Sequence, residues 1–144
     1  MGRAERVSLG AMTLASCGIL AVMLGPDPAS PVVPRWVDAR LDAMPPDTRI
    51  LNDWDTGSCF LYRHPNLAWA MHGYGDVFTD AELRRNFALV RLSPGWEAEL
   101  RDLEVDVALV DPASPLGYAL QEVEGWTVEQ SDESFALLTP STSH

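Results

Sequence analysis

Val105-Asp106-Val107-Ala108-Leu109-Val110 is apolar at five of its six positions. A strand with one wet face alternates polar and apolar residues, so a run this uniform predicts a strand covered on both faces, as in α/β domains. Helix signals flank it. Downstream, Ser114-Pro115 supplies a cap and a first-turn proline for a helix carrying Leu116, Ala119, Leu120 and Val123, and Gly125 ends it. Upstream, Ser93-Pro94 opens a helix with Trp96, Leu100 and Leu103 on one side. Before that, Thr79 and Glu82 form a capping box for a helix whose Leu83, Phe87 and Val90 share a face.

Two shorter strands precede these helices. Arg49-Ile50-Leu51-Asn52 is one, and Leu67-Ala68-Trp69-Ala70-Met71, alternating large and small, is the other. Between them Thr56 to His64 reads as a helix stopped by Pro65. At the other end, Trp126 to Gln130 and Phe135 to Thr139 flank the polar Ser131-Asp132-Glu133-Ser134, a β-hairpin signature. The order predicts an α/β domain over residues 48–140: a small, mainly parallel open sheet flanked by helices and ending in an antiparallel hairpin. Residues 141–144 are a tail.

Residues 7–25 carry no charge. A helix of that length spans roughly 28 Å, close to the hydrocarbon core of a bilayer, so the segment is read as one transmembrane helix. Arg3 and Arg6 in the tail of residues 1–6 place the N-terminus in the cytoplasm and the domain outside. A cleaved signal peptide is a second reading. A third is lipidation at Cys17, since Leu14-Ala15-Ser16-Cys17 resembles a bacterial lipobox. Residues 26–47 hold six of the eleven prolines and read as a stiff linker. Within it Val37, Leu41 and Met44 mark a short amphipathic helix, placed at the membrane surface or against the domain.

The 144 residues include ten arginines, no lysine and twenty-one acidic residues, a net charge of −11. An acidic chain with no basic stripe excludes nucleic acid as a partner, and arginine without lysine points to a GC-rich genome. Arg84, Arg85 and Arg91 read as a solvated face. Cys17 and Cys59 are too few for a disulfide scaffold or a four-cysteine zinc site, and Cys59 in its apolar stretch reads as an inert buried thiol. His64, at a helix end, needs no role beyond facing the helix dipole. No hydrolase, zinc-protease, P-loop or dinucleotide signature occurs, so neither a catalytic residue, a cofactor nor a resident metal is assigned.

If the first three strands are parallel, the loops after them share one edge, where open α/β sheets bind ligands. Those loops gather Asp53, Trp54, Asp55, His72, Tyr74, Asp76 and Asp111. Such a rim would suit a divalent cation through carboxylate oxygens, or a sugar through carboxylates with Trp54 or Tyr74. Turn and cap chemistry accounts for the same acidic residues without a ligand, Asp55 or Thr56 capping the first helix.

The run Ile50-Leu51-Asn52-Asp53-Trp54, Gly57, Phe60-Leu61-Tyr62-Arg63, His72-Gly73-Tyr74-Gly75-Asp76, Gly95-Trp96 and Val105–Val110 resembles the soluble C-terminal domain of polytopic bacterial C-type glycosyltransferase-like membrane proteins, which transfer lipid-linked sugars. The resemblance spans about residues 36–139. It departs at Ser58-Cys59, where a second glycine is usual, and at His72-Gly73-Tyr74, where Asp-Gly-Arg is usual. It implies an extracytoplasmic domain in the cell envelope beside a polytopic membrane protein or an envelope glycan. The catalytic carboxylate of such transferases lies in an early loop that this chain lacks. The expected function is therefore a membrane-anchored, non-catalytic binding or scaffolding domain, or the detached accessory domain of such a transferase, contacting sugar acceptor or donor.

Overall fold

The computed structural model describes residues 33–141. The expected transmembrane helix of residues 7–25 and Cys17 lie outside the described residues, among which no helix is long and apolar enough to cross a membrane. The architecture is mixed α/β: a five-stranded open sheet with helices on both faces.

Helix α1 (Arg35–Asp42) comes first, followed by β1 (Arg49–Leu51), α2 (Trp54–Phe60) and β2 (Ala68–Trp69). A 3-10 turn (Gly75–Val77) leads to α3 (Asp80–Val90) and α4 (Trp96–Asp102). Then come β3 (Val107–Val110), α5 (Pro115–Glu122) and the hairpin β4 (Thr127–Ser131) and β5 (Ala136–Thr139). The spatial order is β2-β1-β3-β5-β4, with β1 parallel to β2 and β3, and β5 antiparallel to β3 and β4. The three early strands are parallel, as expected, and the hairpin adds the antiparallel part.

Strand β3 is buried at all four positions. Val107 and Leu109 join Ile50, Trp69, Phe135 and Leu137 in a cluster with Val37 and Leu41 of α1 and Phe60 of α2. Ala108 and Val110 face the other way, with Leu51, Ala136 and Leu138, against Leu89 of α3, Trp96 and Leu100 of α4, and Leu116, Ala119 and Leu120 of α5. The short amphipathic helix expected in the linker is thus α1, and it packs against the domain, with Val37 and Leu41 fully buried.

Polar contacts hold α1 on both of its flanks. Trp36 Nε1 donates to Asp132 Oδ2 at 2.6 Å in the hairpin turn, and Arg40 pairs with Glu129 of β4 at 3.1 Å. On the other side the buried His64 places Nε2 3.0 Å from Asp38 and Nδ1 3.1 Å from Asp42. His64 therefore does more than face a helix dipole, since it ties α1 to the segment after α2.

Several boundaries differ from the sequence reading. Helix α2 spans Trp54–Phe60 rather than Thr56 to His64, because Asp53, not Asp55 or Thr56, is its cap and accepts from Thr56 N at 2.7 Å. Strand β3 begins at Val107 because Asp106 turns its carboxylate to Arg49 N at 2.8 Å. Helix α3 buries Asn86 and Leu89, leaving Phe87 52% exposed, so the Leu83, Phe87, Val90 stripe is not its core face. Val123 caps α5 and is 64% exposed. Gly125 at φ 68° then lets Trp126 N return to Leu120 O, a conformation that disfavours other residues.

Two consequences are measurable. Leu109→Ala should lower stability by about 2–5 kcal/mol, whereas Val123→Ala should change it by less than about 0.5 kcal/mol. Denaturant unfolding of the full chain, read by near-UV circular dichroism, checks both. The Trp36 indole N–H, helped by Ser134 and Phe135 backbone N–H groups, holds the Asp132 carboxyl below its usual range. A depressed carboxyl contributes stability that is present above its unfolded value and lost as pH falls through the folded one. Docking of α1 should accordingly weaken on acidification below about pH 4, the unfolded aspartate range, and Asp132→Asn should flatten that acid limb. Trp36 fluorescence reads it.

Candidate functional site

Because β1, β2 and β3 are parallel, the loops after them meet at the carboxyl edge of the sheet. Strand β2 is too short to reach that edge by its own ladder, and Asn52 extends it. The Asn52 side chain is fully buried. Its Nδ2 donates to Met71 O at 2.6 Å and to Asp53 O at 2.6 Å, and its Oδ1 accepts from Met71 N at 3.3 Å. The amide thus stands in for a missing residue of β-ladder. Gly57 permits this closeness, since a Cβ there would lie 1.7 Å from Met71 O. A similar approach seats α5, where a Cβ on Gly117 would lie 2.3 Å from Asp111 O.

The acidic residues of the edge divide by role. Asp53 caps α2 through Oδ1. Asp111 closes a turn by accepting from Ala113 N at 2.8 Å, while its carbonyl accepts from Ser114, itself the cap of α5. Asp76 is exposed in the 3-10 turn, and Asp55 lies in the first turn of α2. Among the described residues no group of three or more His, Cys, Asp and Glu is placed to hold a metal ion.

The aromatic members do come together. His72 lies 4.7 Å from Phe78 and 5.7 Å from Tyr74 between ring centroids, and its Nδ1 accepts from Tyr74 N at 3.3 Å. Trp54 lies 6.4 Å from Phe78, and Tyr62 lies 6.0 Å edge-on from Tyr74. These spacings are those of offset and edge-to-face ring pairs. The result is a continuous run of rings, Trp54, Phe78, His72, Tyr74, Tyr62, in which Tyr74 is 48% and Tyr62 71% exposed. Gly73 lets this loop sit against α2, since a Cβ there would lie 2.6 Å from Ser58 Oγ.

Of the predicted site residues, Trp54, His72 and Tyr74 join one surface, with Asp53 and Asp111 occupied by the backbone around them. The sequence reading missed Phe78, Tyr62 and Asn52. Phe78 had a signal, since it precedes the Thr79 cap, where a hydrophobic residue commonly folds back on its helix. Tyr62 sits just past the end of α2, and its partner is remote in sequence. Elsewhere, Cys59 is a free, half-buried thiol packed beside Phe60 rather than fully buried. Arg85 is bound to Glu99 at 2.8 Å, and Arg91 lies over the Phe87 ring, so these arginines knit the α3 surface. No protein-family model, curated protein or solved structure matches the chain.

Proposed function

We propose that the chain is a non-catalytic binding module of the bacterial cell envelope, anchored by residues 7–25 with its N-terminus cytoplasmic and its α/β domain outside, and that the aromatic rim docks a glycan. The observation that carries the reading is the ring run from Trp54 to Tyr62, half-buried at Trp54 and exposed at Tyr74 and Tyr62, at the edge where open α/β sheets take ligands. Flat ring faces pack against the apolar C–H faces of sugars, and nearby exposed carboxylates such as Asp76 accept from hydroxyls. The charge fits a neutral or hydroxyl-rich partner better than an anionic one, since eight arginines face twenty acidic residues after the apolar segment.

A second reading makes the chain the detached accessory domain of a polytopic lipid-linked-sugar glycosyltransferase, the same rim contacting sugar acceptor or donor. Its support is the sequence resemblance over residues 36–139. A neighbouring reading frame with many spans and an early-loop aspartate would favour it.

Titrating the full chain with a panel of neutral oligosaccharides should give saturable binding, which Trp54→Ala and Tyr74→Ala each weaken by about tenfold, or about 1.4 kcal/mol. Wild-type affinity in the double variant would sink the rim. A topology reporter fused after His144 should be active outside the cytoplasm, and activity inside would overturn the placement.

A further inference from the structure

Helices α3, α4 and α5 form one layer on the sheet, and α3 packs against both of the others. Arg85 turns toward α4, where it meets Glu99 at 2.8 Å. Arg84, Phe87 and Arg91 lie roughly 100–160° around the helix from Arg85, on the side away from α4. Spaced three and four residues apart, they make one stripe. Arg91 lies over the Phe87 ring, yet the phenyl is still 52% exposed. Among the described residues Arg40, Arg49, Arg63 and Arg85 are paired with carboxylates, whereas Arg84 and Arg91 are not, even though Asp80 stands one turn before Arg84. In a chain of net charge −11, two neighbouring cations left without a carboxylate are the exception. Helix α5 carries the opposite sign. It buries Leu116, Gly117, Ala119 and Leu120, so Tyr118 and Glu122, one turn apart, point away from the sheet. Tyr118 is 63% exposed, and Glu122 is exposed with no cation paired to it among the described residues.

We propose that this face is the contact between two copies of the chain, with Arg84, Phe87 and Arg91 of one meeting Tyr118 and Glu122 of the other. Charge complementarity selects that occupant. A two-fold axis lying in the contact plane and running between α3 and α5 sets α3 of each copy on α5 of its partner, so both pairings form at once. The phenyl then packs against the phenol with arginines beside them, and these are residue types that interfaces favour. Other placements fail on charge. Setting α3 on α3 brings four arginines together, and α5 on α5 opposes two glutamates. An anionic lipid surface would take the arginines, but it would also meet Glu122 and a domain in which carboxylates outnumber arginines. The contact uses the α3–α5 side of the sheet and the aromatic rim its carboxyl edge, so the two proposals stand or fall separately.

The test is sedimentation equilibrium of the full chain in density-matched mild detergent, where a concentration-dependent dimer is expected. Reversing one stripe puts like charges opposite each other. Glu122→Arg, and separately Arg84→Glu combined with Arg91→Glu, should each weaken association by at least about tenfold, with circular dichroism unchanged. The two variants mixed should associate about as strongly as wild type, because a chain basic on both helices then meets a chain acidic on both. A fold damaged by the substitutions would not recover on mixing. A monomer up to the solubility limit, a dimer that withstands both reversals, or variants that stay apart when mixed would each overturn the proposal. So would an association seen only in micelles doped with phosphatidylglycerol, lost with the arginine reversals and kept in Glu122→Arg, which would assign the stripe to lipid headgroups.

Discussion

Strand β3 carries Val107 and Leu109 on one face and Ala108 and Val110 on the other, and wetting either face would cost on the order of 1.5–3 kcal/mol for each large side chain. That constraint forces helices onto both sides of a sheet only five strands wide. Helices α3, α4 and α5 supply one layer. The other has α2 alone between the parallel strands, and α2 is seven residues long. Helix α1 completes it by laying Val37 and Leu41 over Ile50, Phe60 and Leu137. The covering helix is thus drawn from a proline-rich stretch that composition alone reads as a spacer.

A cover that contributes two large buried side chains gains only a few kcal/mol from them, so its polar flanks matter. On one flank the carboxylates of Asp38 and Asp42, one turn apart on α1, meet the two nitrogens of His64, and Arg63 pairs with Asp38. On the other, Trp36 and Arg40 reach the hairpin at Asp132 and Glu129. The helix therefore bridges the segment before β2 to the far edge of the sheet. Its bonds to Asp132 and Glu129 are exposed, and those to His64 are more enclosed, so salt screens the hairpin side first.

What was legible in the sequence were the features set by local rules. The double-faced burial of Val107–Val110, the Thr79–Glu82 box, the Ser114 cap with Pro115 behind it and the hairpin around Ser131–Ser134 all follow from neighbours a few residues apart. The parallel placement of the first three strands followed from their helical connections. Contacts made across the fold were not legible. Asp38 and Asp42 meet a histidine more than twenty residues away, Asn52 reaches Met71, and Tyr62 meets Tyr74. Which aspartate caps α2 was also settled at a distance. Asn52 ties the chain at Asp53 and at Met71 together, and the helix starts where that leaves it, two residues earlier than Thr56 suggested.

Helix α3 shows most plainly where periodicity stops deciding. Its stripe of Leu83, Phe87 and Val90 and the face centred on Asn86 and Leu89 are rotated from each other by about a residue, roughly 100° of helix. Apolar content alone favours the stripe with Phe87. The observed rotation buries an amide instead, and it coincides with the bond from Arg85 to Glu99 and with Leu89 entering the cluster beneath α4 and α5. The arrangement costs little, because Arg91 lies over the Phe87 ring and no side-chain nitrogen or oxygen enclosed among the described residues is left unpaired. A helix face is thus chosen by which residues its neighbours can cover, and apolar count along the sequence decides only where that cover is free to follow it.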